Sequence, residues 1–123
     1  MTPTEIVQYE IAKLNQLRSA ADVAAMLLSR GVRGWRNGAG CDPLSVWLTL
    51  VLTADAEESG RRPERAELLA DNTTLEVWDA DCMDVSLVEI APGSPVHRFN
   101  EGFSAGLFGD LVGSPDHPAQ IGG

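Results

Sequence analysis

The run TLEVWDADCMDVSLVEI, residues 74–90, decides the fold class. Thr74 to Asp79 and Val85 to Ile90 are short β-type runs, and Ala80-Asp81-Cys82 between them turns the chain, so the stretch reads as a hairpin. Ala66 to Ala70, just upstream, is a third strand candidate. A small antiparallel sheet of two or three strands is therefore expected in the second half of the chain.

The first half reads as helices. Thr2-Pro3-Thr4-Glu5 has the composition of a capping box with proline at the first helical position, and Ile6, Val7, Ile11, Leu14 and Leu17 follow at helical spacing. Ser19-Ala20-Ala21-Asp22 repeats the start signal before Val23, Met26, Leu27 and Leu28. Arg30 and Gly31 then supply a basic last turn and a residue free to turn left-handed. Asp42-Pro43 opens another helix, with Leu44, Trp47, Leu48 and Val51 as its stripe, apolar on most of its circumference and so expected at the centre. Ala54 to Arg65, charged and containing Gly60 and Pro63, reads as a mobile connection. Downstream of the hairpin, Pro92-Gly93 turns the chain and Ser94-Pro95 opens a closing helix with Val96, Phe99 and Phe103 on one face. Leu107, Phe108, Leu111 and Val112 pack a last turn. The expected architecture is α+β: a helical layer of two or three helices, the sheet, a short closing helix, one domain over residues 1–112 and a flexible tail over 113–123.

Length and charge agree with one modest domain. A chain of 123 residues suffices for one core. The formal net charge is −9, and it is unevenly placed: residues 55–89 hold eleven acidic groups against Arg61, Arg62 and Arg65, whereas residues 1–40 carry a net +2. Such a surface repels phosphate backbones, which argues against non-specific nucleic-acid binding. Leu44 to Leu52, the longest apolar stretch, is too short to span a bilayer, and Met1 to Glu10 lacks the apolar core of a leader. Cys41 and Cys82 show neither disulfide-scaffold nor zinc-ribbon spacing. A reduced, cytoplasmic setting with no membrane association is expected.

The run Leu27-Leu28-Ser29-Arg30-Gly31-Val32-Arg33-Gly34, then Cys41-Asp42-Pro43-Leu44-Ser45-Val46-Trp47-Leu48, and later Pro95-Val96-His97-Arg98-Phe99 through Phe103-Ser104-Ala105-Gly106-Leu107-Phe108, resembles a group of small actinobacterial and actinophage proteins. Their pattern is a helix, G-(I/V)-(K/R)-G, a loop, C-P-(I/L)-A-x-(Y/W)-L, a small sheet and a closing P-V-x-x-F segment. The likeness covers about residues 22–112. This chain departs from it by Asp42 between cysteine and proline, by Ser104 in place of an aspartate, and by a longer connection before the sheet. The resemblance implies a fold and a genomic setting and carries over no catalytic residue, because no activity is established for the group.

Candidate chemistry concentrates in the loop from 31 to 43. Arg30, Arg33 and Arg36 stand among glycines ahead of a helix start, an arrangement able to hold an anion. No Lys-Ser/Thr follows the last glycine, however, and Asp42 as cap would occupy the anion's place. Solvated or paired arginines in a plain connection explain the same residues. Trp35 between arginines is either an interface residue or a lid over the first helices, while Trp47 and Trp78 read as core. Cys41 at a helix start would be an activated thiol only with a base nearby, and His97 and His117 are the available ones; a small buried residue explains it as well. Cys41, Cys82, His97 and His117 have the wrong spacing for a zinc site, and Asp79, Asp81 and Asp84 read as a polar turn rather than a calcium loop. No catalytic residue, metal or cofactor is expected.

Three functions follow. The first is a non-enzymatic interaction or regulatory module, phage-encoded in one version, binding a host or phage protein through Arg30, Arg33, Trp35 and Arg36. The second is a small-molecule or anion-binding protein, an enzyme in one version, using the 31–43 loop. The third is an acidic nucleic-acid mimic built on residues 55–89.

Overall fold

The computed structural model describes residues 1–36, 40–81 and 83–113. Its element order is α1 (Pro3–Leu14), α2 (Ala20–Ser29), α3 (Pro43–Ser59), β1 (Arg65–Leu68), β2 (Thr74–Trp78), β3 (Val85–Glu89), α4 (Pro95–Ser104) and a 3-10 turn over Gly109–Leu111, an α+β architecture. None of the described helices is long and apolar enough to cross a membrane.

Local chemistry explains each helix start. Thr2 and Glu5 close a reciprocal capping box, and the side chains of Ser19, Asp42 and Ser94 each accept a backbone N–H from the first turn of α2, α3 and α4. Proline stands in the first turn of α1, α3 and α4, where its missing N–H costs no hydrogen bond. The core is built from the stripes these helices present: Val7, Ile11 and Leu14 on α1, Val23 and Leu27 on α2, Leu44, Leu48 and Leu52 on α3, and Val96, Phe99 and Phe103 on α4. Leu75 and Val77 of β2 and Val88 of β3 complete it.

Two expectations need correction. The segment Ala54 to Arg65 is not one mobile connection, because α3 runs on to Ser59 and ends at a left-handed Gly60. Ala54, Ala56, Glu57 and Glu58 are good helix formers, and Ala56, four residues after Leu52, keeps the buried stripe going. Only Gly60 to Glu64 connects α3 to the sheet, and Arg61 is tied there to Asp55 and Glu64. Trp78 is not a core residue either. With a period of two, Leu75 and Val77 take the core face, so Trp78 falls on the opposite face, where Arg65 lies 5.5 Å from its ring centre.

The sheet has the order β1-β2-β3 and is antiparallel throughout, with Ala66 opposite Val77 and Val77 opposite Ser86. Its first edge is closed by α3. Thr49 Oγ1 accepts from Ala66 N at 3.1 Å and donates to Ala66 O at 3.3 Å, and Ser45 Oγ, one turn earlier, accepts from Leu68 N at 2.8 Å. Two hydroxyls at helical spacing thus satisfy three outward backbone groups of β1, the Ala66 N–H and C=O and the Leu68 N–H, in the way a neighbouring strand would.

The chain after α4 returns to the first half. Gly34 N donates to Leu111 O at 2.7 Å and Gly113 N donates to Gly34 O at 2.8 Å. A Cβ on Gly34 would sit 2.6 Å from Cys41 O and 2.7 Å from Pro43 N, so only glycine fits between the two backbones. Gly113, placed in the tail by the sequence, is therefore held against the domain. Residues 114–123, His117 included, and Cys82, one half of the cysteine pair, lie outside the described residues.

Candidate functional site

Of the four residues singled out by the sequence, Trp35 and Arg36 line one groove and Arg30 lines another pocket. Arg36 is engaged in the fold: it donates to Phe103 O and, at 3.0 Å, to Leu107 O, and its guanidinium lies 4.5 Å from the Phe103 ring centre. These carbonyls belong to the last turn of α4 and the residues after it, where helix geometry leaves acceptors unpartnered. Arg36 is thus a clamp from the loop onto α4. Arg30, at the end of α2, lies 5.7 Å from the ring centre of Trp47 on α3, in a different pocket. Among the described residues Arg33 donates only to its neighbour's carbonyl, Val32 O, at 2.8 Å.

Trp35 stands between the two expectations for it. It is 37% exposed and lies outside the packed hydrophobic cluster, while its backbone N–H donates to Cys41 O at 2.7 Å. It lines a groove of about 370 Å³ with Arg36, Asp42, Leu68, Asn72 and Phe103. Asp42 faces that groove already committed: Oδ2 accepts from Ser45 N at 3.0 Å and Oδ1 from Ser45 Oγ at 2.6 Å. Burial pushes its pKa up, against the lowering effect of those hydrogen bonds. The helix start that an anion would need is therefore filled by the chain's own carboxylate.

The groups that hydrolytic chemistry would use are likewise occupied or apart. His97 Nδ1 accepts from Gly93 N at 2.8 Å and its Nε2 lies 3.5 Å from Glu101, both contacts within the turn and helix that carry it. Cys41 is half-buried and meets the loop through its backbone. Among the described residues no three His, Cys, Asp or Glu side chains converge as metal ligands.

A surface the sequence reading missed is the outer edge of β3. Asp79 N donates to Asp84 O at 3.1 Å and Ile90 N to Thr73 O at 2.7 Å, which sets the phase of the ladder: Asp84, Ser86, Val88 and Ile90 turn their backbone groups toward β2. The N–H and C=O groups of Val85, Leu87 and Glu89 point the other way, and among the described residues nothing bonds to them. Val85 and Leu87 are 44% and 60% exposed, and Met83, just before the strand, is 81% exposed. The carboxylates of Glu76, Asp84 and Glu89 around this edge form no ion pair within the described residues. The signal available in the sequence was the apolar residue at every second position, Val85 and Leu87, on a strand whose other face alone enters the core.

Comparison with known proteins finds no family model, no curated protein and no solved structure that matches this chain.

Proposed function

We propose that the protein is a non-enzymatic interaction module that binds an extended, basic segment of a host or phage protein by adding it as a fourth strand beside β3. The observation that carries this reading is the contrast between the two sheet edges. The β1 edge is sealed by Ser45 and Thr49, whereas the β3 edge offers backbone groups unpaired among the described residues and flanked by exposed Val85 and Leu87. Strand addition uses those groups for affinity and the alternate side chains for selectivity. Charge selects the occupant. Asp84 and Glu89 on the strand and Glu76 beside it favour lysine or arginine on the incoming segment. A second copy of this chain fits less well. Paired antiparallel about Leu87, it would set Glu89 opposite Val85 and crowd four carboxylates of Asp84 and Glu89 along one seam with no cation among them.

The cytoplasmic setting and the actinobacterial or phage origin suggested by the resemblance belong to the same proposal. The anion-binding alternative has less support, since Arg36 and the α3 start are both engaged within the fold.

Leu87→Pro tests the reading directly. The Leu87 N–H faces the open edge, so proline there removes a docking donor and no internal ladder bond. Wild-type protein is used to capture partners from source-cell lysate, and amide exchange is followed on the complex. The expected result is capture lost in Leu87→Pro and in Leu87→Lys, with slowed exchange at Val85, Leu87 and Glu89 in the wild-type complex. Capture that survives both substitutions, protection confined to the 30–43 loop, or no capture at all would overturn it.

A further inference from the structure

We infer that the junction of α1, α2 and α3 holds a second binding site, for a small apolar molecule carrying a single carboxylate. The three helices leave a pocket of about 290 Å³ between them. Its walls are Leu14 and Leu17 from the α1 side, Met26 from α2, and Trp47 and Val51 from α3. The pocket opens to the surface, and an apolar-walled cleft with a few polar groups along it is the usual form of a ligand site. The volume lies at the bottom of the range such sites span, which limits the occupant to one ring or a short branched chain.

The rim sets the charge of the ligand. It is made by Glu10, Lys13 and Arg30. Glu10 and Lys13 neutralise each other, with Lys13 Nζ 2.9 Å from Glu10 Oε2. Arg30 has no carboxylate partner among the described residues, and its guanidinium rests over the Trp47 ring. The rim therefore carries one uncompensated positive charge in a chain whose net charge is −9. One carboxylate cancels it, a dianion would leave a surplus negative charge, and a cation would meet Arg30 directly. The planar guanidinium offers paired donors matched to a carboxylate, and its place over the Trp47 ring, 5.7 Å from the ring centre, sets that fork beside the pocket. Trp47 thus supplies both an apolar wall for the ligand's body and a platform for the group that holds its head. The site shares no residue with the β3 edge, and the two proposals stand or fall separately.

The test uses three probes with similar bodies and different heads: phenylacetate, 2-phenylethanol and phenethylamine. Each is titrated into the full-length protein while the Trp47 Nε1–H, Met26 methyl and Arg30 Nε–H resonances are followed. Phenylacetate should saturate and shift all three. The alcohol should bind about tenfold or more weaker, the loss expected when a hydrogen bond to a charged group is missing, and the amine should not bind. Arg30→Gln should weaken phenylacetate by a similar factor, and Arg30→Lys, which keeps the charge and loses the fork, should recover part of it. Equal responses to acid, alcohol and amine would overturn the proposal, as would shifts that avoid these residues or unchanged affinity in Arg30→Gln. Should Arg30→Gln fail to fold, the comparison of the three heads on the wild-type protein decides alone.

Discussion

Ser45 sits where α3 meets β1, wholly buried, and its hydroxyl serves two neighbours at once. It accepts from Leu68 N at 2.8 Å and donates to Asp42 Oδ1 at 2.6 Å. Ser45→Ala leaves the Leu68 N–H without a partner and takes a donor from a carboxylate that burial already disfavours. An orphaned buried N–H costs about 1–3 kcal/mol, and a hydrogen bond to a charged group contributes about 1.5–3 kcal/mol. Both losses arise from one atom and relax together, so they do not add in full, and the expected destabilisation is about 2–4 kcal/mol. Urea unfolding followed by circular dichroism should show a lower midpoint with an unchanged slope. Amide exchange gives a second readout, because Leu68 N–H should lose protection more than the β2–β3 ladder does. Thr49→Val keeps the shape and removes the longer bonds to Ala66, so its cost should be smaller, about 1 kcal/mol. A Ser45→Ala cost below about 0.5 kcal/mol, or a larger cost for Thr49→Val, would refute the account of α3 as the seal on β1.

Gly34→Ala should destabilise by about 1–3 kcal/mol or more, since its Cβ would meet three backbone atoms of Cys41–Pro43 that cannot rotate away; a neutral result in thermal unfolding would mean that the Gly34–Val112 contact is not a fixed part of the fold. Trp35→Ala with Arg33→Ala should cost no more than about 1 kcal/mol, because neither side chain packs in the core, and a loss of several kcal/mol in a denaturation curve would show Trp35 to be a lid after all. Asp42 supplies a pH test. Its pKa is raised in the folded chain, so the folded state holds that proton to higher pH than the unfolded state, and the contribution to stability is fullest below the unfolded pKa and declines as pH rises through the folded one. Asp42→Asn, which retains a capping side chain, should therefore gain on the wild type as pH rises across the carboxylate range, and a pH-independent difference would contradict the assignment.

The helix starts were legible because capping is local. Thr2, Ser19, Asp42 and Ser94 each sit within four residues of the N–H they accept, so sequence spacing alone identifies them. The end of α3 was harder, since Ala54 to Ser59 looks polar and its hold on the helix comes from Ala56 meeting the core. Arg36 illustrates the opposite limit. In sequence it is one more arginine beside a tryptophan, and its partners, Phe103 O and Leu107 O, lie 67 and 71 residues away. Nothing in its neighbours distinguishes a clamp from a free cation. Trp78 was misplaced for a simpler reason: its size suggests burial, but the parity set by Leu75 and Val77 overrides size on a strand.

The segregation of charge acquires a location in the folded chain. In sequence, residues 55–89 carry a large acidic excess, for which solubility is sufficient explanation. In the structure all three arginines of that stretch are committed to carboxylates of the same stretch: Arg61 to Asp55 and Glu64, Arg62 to Asp81, and Arg65 to Glu67. None is left for β3, where Asp84, Glu89 and Glu76 surround the open edge. An exposed apolar edge is ordinarily a liability, because it templates pairing with other copies, and proteins blunt it with charge. Lysine is the common guard, and it would repel a basic partner along with a second copy. Carboxylates of one sign discourage the second copy while leaving the edge attractive to an incoming strand of opposite charge. Reversing that sign with Asp84→Lys and Glu89→Lys would keep the guard against self-pairing and abolish capture of a basic segment, whereas the backbone groups of Val85, Leu87 and Glu89 would be unchanged. If capture persisted at low salt in that variant, backbone pairing and apolar contact would account for the binding, and the carboxylates would be guards alone.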